Sequence, residues 1–184
     1  MSYEARVQQI ISTDTRRWQL LDVVRRLDLP DCWIGAGFVR NAVWDHLHER
    51  RPSPLTGDVD VIWFDPDRAD HGEDQRLEAA LRTLAPGIDW SVKNQARMHS
   101  RNGDSPYGSS AQAMSFWCET ATAIAVRRTA AGVCEVSAPL GLDDLFELLL
   151  RPSRRFVVDK RQVYEERIAA KAWLSKWPKL RCVG

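Results

Sequence analysis

The sequence predicts an α+β fold: a small mixed β-sheet with helices packed on it, extended by helices at the N- and C-terminal ends. Three observations predict it. Residues 32–48 read as a short buried strand, a glycine turn and an amphipathic helix. Residues 58–64 read as a second strand, in which side chains alternate between faces. Amphipathic helical stretches flank this part at about 3–28 and 141–178. The expectation is one domain over residues 1–184, with its core at about 31–137, and 184 residues can bury such a core.

In order, Val7, Ile10, Ile11, Trp18, Leu21, Val24 and Leu27 follow helical spacing. Ser12-Thr13-Asp14 offers a cap where this region breaks into two helices, and Leu29-Pro30-Asp31 ends it. Cys32-Trp33-Ile34 is an apolar strand that stops at Gly35. Gly35 and Gly37 permit backbone angles and close approaches that a side chain forbids. From Phe38 to His48, Val39, Val43 and Leu47 line one helix face, with Arg40, Trp44 and His48 beside them. Glu49 to Gly57, with Pro52 and Pro54, is a loop that either closes over a ligand or simply connects.

After the 58–64 strand, Asp70 or Gly72 opens a helix with Leu77, Ala80, Leu81 and Leu84 as its apolar stripe, ended by Pro86-Gly87. Ile88–Val92 is a third strand whose alternation puts Asp89, Ser91 and Lys93 on one face. Ala111–Trp117 and Glu119–Arg127 both read as helical. Val133–Ser137 is a fourth strand, Asp143–Leu150 an apolar helix, and Asp159 opens a last long helix that runs to Pro178.

Composition narrows the functional classes. Hydrophobic residues at 44% and charged residues at 28% are ordinary for a soluble globular chain, and no run is long enough to span a bilayer. The N-terminus shows no signal-peptide core, and four scattered cysteines without a Cys-x-x-Cys pair read as reduced thiols, so a cytoplasmic location without zinc is expected. A net charge of +1 argues against non-specific grip on long nucleic acid. Trp173 and Trp177, four apart, read as packing against the body rather than as base-stacking platforms.

The chemistry concentrates in two places. Asp58 and Asp60 project from one face of their strand, where two carboxylates repel each other unless a cation lies between them. Such a pair suits Mg²⁺, which takes one or two carboxylates and completes its shell with water and substrate phosphates. Upstream, a helix starting at a glycine turn aims free N–H groups and a positive dipole end at whatever sits there, as phosphate binding requires. Past the third strand, Lys93, Asn94, Gln95, Arg97 and His99 form a dense donor set. They make either a ligand site or a helix cap with solvated neighbours. Glu119 is either a helix cap or an outer carboxylate.

Gly35-Ala36-Gly37-Phe38-Val39-Arg40-Asn41, followed by Gly57-Asp58-Val59-Asp60-Val61, resembles the signature of the DNA polymerase beta-like nucleotidyltransferase superfamily. The Gly-Phe-Val-Arg-Asn form is similar to CCA-adding tRNA nucleotidyltransferases, which have Asp where this chain has Asn41. Over roughly residues 15–180 the chain resembles a bacterial group of nucleotidyltransferase family proteins, uncharacterised in substrate. It shares Val92 to His99, Glu119 to Ala123 and Gly141 to Leu145 with that group.

The resemblance implies a minimal nucleotidyltransferase fold and transfer of a nucleoside monophosphate from an NTP to an acceptor hydroxyl. Two Mg²⁺ ions would sit on Asp58 and Asp60, with Asp89 as the third carboxylate unless it merely caps its strand. Gly35 and Gly37 would cradle phosphates. Arg40, Asn41, Lys93, Asn94 and Arg97 would hold the rest of the nucleotide, with Arg40 or Lys93 offsetting developing charge. The acceptor (a small molecule, a protein side chain or a nucleic-acid end) is left open. Two rival readings are a non-catalytic nucleotide-binding module of the same fold and a structural interaction protein docking through its Trp-rich terminal helix.

Overall fold

The computed structural model describes residues 1–184. Helices α1 (Tyr3–Thr13) and α2 (Thr15–Arg25) are separated by Asp14, whose carboxylate accepts from the Arg17 backbone N–H and caps α2. Strand β1 (Trp33–Gly35) runs into α3 (Gly37–Leu47) through one residue, Ala36. Strand β2 (Val59–Trp63) follows the proline loop, and α4 (His71–Leu84) starts at an Asp70 cap. Strand β3 (Trp90–Asn94) passes directly into α5 (Gln95–Asn102), which the Asn94 side chain caps at the Ala96 N–H.

Beyond that point the order differs from expectation. Helix α6 covers only Ser110–Met114, and Glu119–Arg127 is not helical. It forms a 3-10 turn over Thr120–Thr122 and then strand β4 (Ala125–Arg128). Three-and-four spacing suggested a helix there, but Val126 takes a place inside the sheet between Ile34 of β1 and Val136 of β5 (Cys134–Ser137). Tertiary pairing overrode the local pattern.

The expected helix over Asp143–Leu150 is likewise cut to α7 (Asp143–Phe146). Leu148 adopts a left-handed φ of 60°, and Leu149–Leu150 becomes β6, paired in parallel with β7 (Arg181–Cys182). A short helix α8 (Arg154–Val157) comes first, and the expected last long helix is split into α9 (Arg161–Lys171) and α10 (Trp173–Lys176), separated by left-handed Ala172.

The main sheet has strand order β3-β2-β1-β4-β5, parallel between β2 and β3 and antiparallel elsewhere. It is therefore mixed. Val59, Val61, Trp90 and Val92 share one face and join a core that also takes Val7 and Leu21 from the first two helices and Trp173 and Trp177 from the last. The opposite face is covered in part, where Ile62 and Ala125 pack with Met114 of α6 and with Trp117. Asp60 and Lys93 stand on that second face by strand alternation. No helix is long and apolar enough to cross a membrane.

Candidate active site

The site begins with a strained turn. Ala36 has φ 53° and ψ −126°, backbone angles natural to glycine and costly for any other residue. Its N–H donates to the Ile124 carbonyl just ahead of strand β4, and its own carbonyl accepts from Val39 and Arg40, which fixes the kink. The unusual angles therefore fall on Ala36, between the two glycines that were expected to need them. Gly35 lies inside the sheet opposite Ala125, where an added Cβ would sit 3.1 Å from both the Ile124 carbonyl and the Trp117 ring. It is needed for close packing, and its expected place in a phosphate cradle is not seen. Gly37 and Phe38 do line a cavity, and Ala36 brings no side-chain cap to the α3 N-terminus there.

Across that cavity, of about 270 Å³, stand Asp58 and Asp60. Asp58 is exposed and Asp60 half-buried. Burial, and next the charge of Asp58, push the Asp60 carboxyl above its usual range, while Lys93 and a hydrogen bond from Ser91 pull the other way. The donor set is two crowded carboxylates facing a polar cavity, and this fits a hard divalent cation with substrate oxygens filling its shell. No further His, Cys, Asp or Glu gathers with the pair as a three-membered metal cluster.

Cations surround the two acids. Arg40 is buried, and that burial lowers its pKa to about 10, so it stays charged at neutral pH. It donates to the Thr122 hydroxyl at 2.9 Å and to Asn41 Oδ1 at 2.9 Å, and lies over the rings of Trp44 and Trp173. Arg17 is buried as well, held by Asp14 and by the Phe38 carbonyl. Arg167, Lys171 and Lys176 reach the same cavity from α9 and α10, and Lys171 and Lys176 have no ion-pair partner.

A second cavity of about 530 Å³ opens on the other side of Asp60, and the two share Ala36, Asp60 and Arg167. Lys93 lines this second cavity, beside the Ser91 hydroxyl. Glu119 is wholly buried at its wall. One oxygen accepts from Arg167 Nε at 2.6 Å, and the other has no hydrogen-bond partner.

Three expected residues fall outside this arrangement. Asn94 has no exposed surface and spends its side chain on the carbonyls of Asp65 and Arg68 and on the cap of α5. Arg97 is paired with buried Asp74 of α4, which also accepts from Trp63 Nε1 and the Asn94 N–H. Strand alternation explains the first: Lys93 shares the Asp60 face, so Asn94 must point to the other, and Arg97 one turn into α5 is taken by Asp74. Asp89 lies just before β3, level with Asp58, but is exposed and lines neither cavity.

Arg17, Arg167, Lys171 and Lys176 also line the first cavity without having been expected there from the sequence. The one available signal was Arg167 and Lys171 at four-residue spacing on a helix ending in a tryptophan pair.

A family model described as nucleotidyltransferase matches residues 22–182. Among solved structures, an NMR structure described as revealing a CCA-adding enzyme head domain is 32% identical. It covers 98% of this chain and 95% of that one, with a TM-score of 0.86. A CCA-adding enzyme in complex with CTP is 13% identical with a TM-score of 0.57, covering 98% of this chain and 43% of that one. A tRNA nucleotidyltransferase complexed with primer tRNA and an incoming ATP analogue is 17% identical with a TM-score of 0.53, covering 80% and 42%. The last two show the fold alone, and this chain spans less than half their length. None of the curated proteins matches the chain.

Proposed function

Because the chain belongs to the nucleotidyltransferase family, we propose that its first cavity holds an Mg²⁺-complexed NTP and that the protein transfers the nucleoside monophosphate to an acceptor hydroxyl. One observation carries this: Asp58 and Asp60 face the uncapped N-terminus of α3 across a single cavity. Triphosphate can therefore meet backbone amides at one end and carboxylate-bound cation at the other. Divalent ions held by Asp58 and Asp60 would neutralise the phosphates and make the attacking hydroxyl more acidic.

The chain's own groups do the remainder. Gly37 and Phe38 present amides to the β and γ phosphates, and Lys171 and Lys176 add mobile positive charge at the cavity mouth. Arg40, fixed by Thr122 and Asn41, offers a preorganised cation where charge develops on the leaving oxygen. Trp173 and Trp177 close the wall and limit water. The new O–P bond forms as the bond from the α phosphorus to the bridging oxygen breaks. Pyrophosphate then leaves, and the hydroxyl proton is released.

Asp58→Asn and Asp60→Asn, assayed for Mg²⁺-dependent NTP consumption and pyrophosphate release, test the assignment. Unchanged turnover in either variant overturns it. One observation favours a second reading, a nucleotide-binding module without transfer: only two carboxylates assemble at the strand. Calorimetric NTP binding without pyrophosphate release in the wild-type protein would select that module.

A further inference from the structure

The second cavity is lined as a binding site rather than as a surface dent. Its charged walls come from separate segments: Lys93 at the end of β3, Arg101 on α5, and Lys160 and Arg167 at and within α9. Three carboxylates face them. Glu119 is engaged by Arg167, and Asp104 by Arg155 and Tyr107, which leaves Asp60. Arg101 has no hydrogen bond or ion pair, and Lys160 donates only to the Asn102 carbonyl. Beside these two cations Phe116 and Val163 are 38% and 51% exposed, next to the Trp117 ring. Open apolar surface beside uncompensated cations is stabilised by a ligand with an apolar or flat body and an anionic group.

The geometry points to this cavity as the acceptor subsite, shaped for a small phosphorylated acceptor with a flat body. The inference rests on the nucleotidyl-transfer reading of the first cavity. Displacement in line at the α phosphorus places the incoming oxygen and the departing pyrophosphate on opposite sides. The α3 N-terminus, Lys171 and Lys176 put the triphosphate tail in the first cavity. The second cavity meets it at Ala36, Asp60 and Arg167, so a hydroxyl entering there arrives on the opposite side. The acceptor oxygen bonds to the α phosphorus, the electron pair of the broken bond departs with pyrophosphate, and the hydroxyl proton passes to water.

Size and charge select a small acceptor. A volume of about 530 Å³ lies within the range of small-ligand sites. A net charge of +1 also gives the chain no large positive excess of the kind that grips long nucleic acid. Arg167, common to both cavities and held by Glu119, then sits where donor and acceptor meet.

5′-AMP is a suitable probe, since it carries a phosphate, a flat ring and free hydroxyls. It is titrated by calorimetry onto the full chain saturated with Mg²⁺ and a non-hydrolysable ATP analogue. The wild type is expected to bind it. An Arg101→Ala/Lys160→Ala double variant should bind it at least tenfold more weakly, with affinity for the ATP analogue within twofold of wild type. Phe116→Ala removes no charge and should weaken 5′-AMP several-fold, which guards against a misfolded double variant.

Absence of 5′-AMP binding to the loaded wild type, or equal affinity in all three proteins, overturns the proposal. Loss of the ATP analogue in the double variant also overturns it, because the groove then holds the donor's own nucleoside. A six-nucleotide RNA that binds more tightly than 5′-AMP and needs the same two cations assigns the groove to a nucleic-acid end and overturns the small acceptor. Failure of the wild type to bind the ATP analogue is a separate result, and it removes the first-cavity reading along with this one.

Discussion

The two walls of the first cavity are built in opposite ways. One wall, β1 through α3 to β2, is contiguous in sequence and sits in the middle of the sheet, so its geometry is set by strand pairing on both sides. The other comes from α9 and α10, far along the chain, and is held by a few side-chain anchors. Trp173 and Trp177 pack edge-on against Trp44, and Trp177 Nε1 donates to buried Asp45 at 2.9 Å. Arg50 donates to the Lys176 carbonyl, and Glu119 holds Arg167. The first wall places the acids and amides. The second supplies cations and closure, and is joined to the first by side-chain packing rather than by strand pairing.

The largest expected effect lies on the first wall. Asp60→Asn should cut turnover by on the order of a hundred- to a thousandfold or more, as loss of one preorganised electrostatic partner does. Its stability should move the other way. A carboxyl whose folded pKa is raised favours folding below its unfolded pKa, and that contribution is lost as pH rises through the folded value. At pH 7 ionised Asp60 therefore opposes folding, because it is half-buried beside Asp58. The variant should melt above wild type at pH 7, with the gap closing as pH falls into the carboxylate range. Added Mg²⁺ should raise the melting temperature of wild type and leave the variant unmoved. A variant that melts lower at neutral pH would mean the two acids are not crowded as described.

The second wall is tested at its anchor. Trp177→Ala should cost about 3–5 kcal/mol, the usual range for a buried aromatic, and lower the melting temperature by roughly 6–20 °C. It also leaves Oδ1 of buried Asp45 without its donor, while Oδ2 keeps the Ser53 N–H. Glu119→Gln should cost less, roughly 2–3 kcal/mol by chemical denaturation, because Arg167 is one-third open to water and keeps partial solvation. If either change abolished folding, the second wall would be as integral as the first and the contrast would fail.

The same contrast explains what the sequence revealed. Asp58, Asp60 and the α3 start were legible because period-two alternation and a glycine turn are local patterns. The mixed sheet was expected with the nucleotidyltransferase resemblance, and its parallel pair joins β2 to β3 across α4. Strand β4 was missed because Ala125–Arg128 carries no alternating signal of its own and is extended only through its neighbours. Asn94 and Arg97 adjoin Lys93 in sequence but not in space: Asn94 takes the opposite strand face and Arg97 turns to buried Asp74. Arg167, Lys171 and Lys176 were missed for a different reason: the four-residue spacing of Arg167 and Lys171 marks a helix face but not what it faces. Their place depends on a tryptophan pair docking on a helix that lies far away in the chain, and no local periodicity records that.

The smallest expected effect is at the cavity mouth. Lys171 is exposed, makes no ion pair, and lines the cavity with a mobile, solvated charge. Lys171→Ala should raise the KM for NTP about three- to tenfold at low salt and leave kcat nearly unchanged, since a mobile surface cation attracts substrate and transition state alike. Screening shortens the reach of such a charge to about 8 Å at physiological ionic strength, so the difference from wild type should shrink as salt is raised. Steady-state kinetics at two salt concentrations read both quantities. An equal fall in kcat would give Lys171 a role in the transition state. That would make the C-terminal wall part of the chemistry rather than its enclosure, because the cation would then have to be fixed against the reacting phosphate in spite of its exposure.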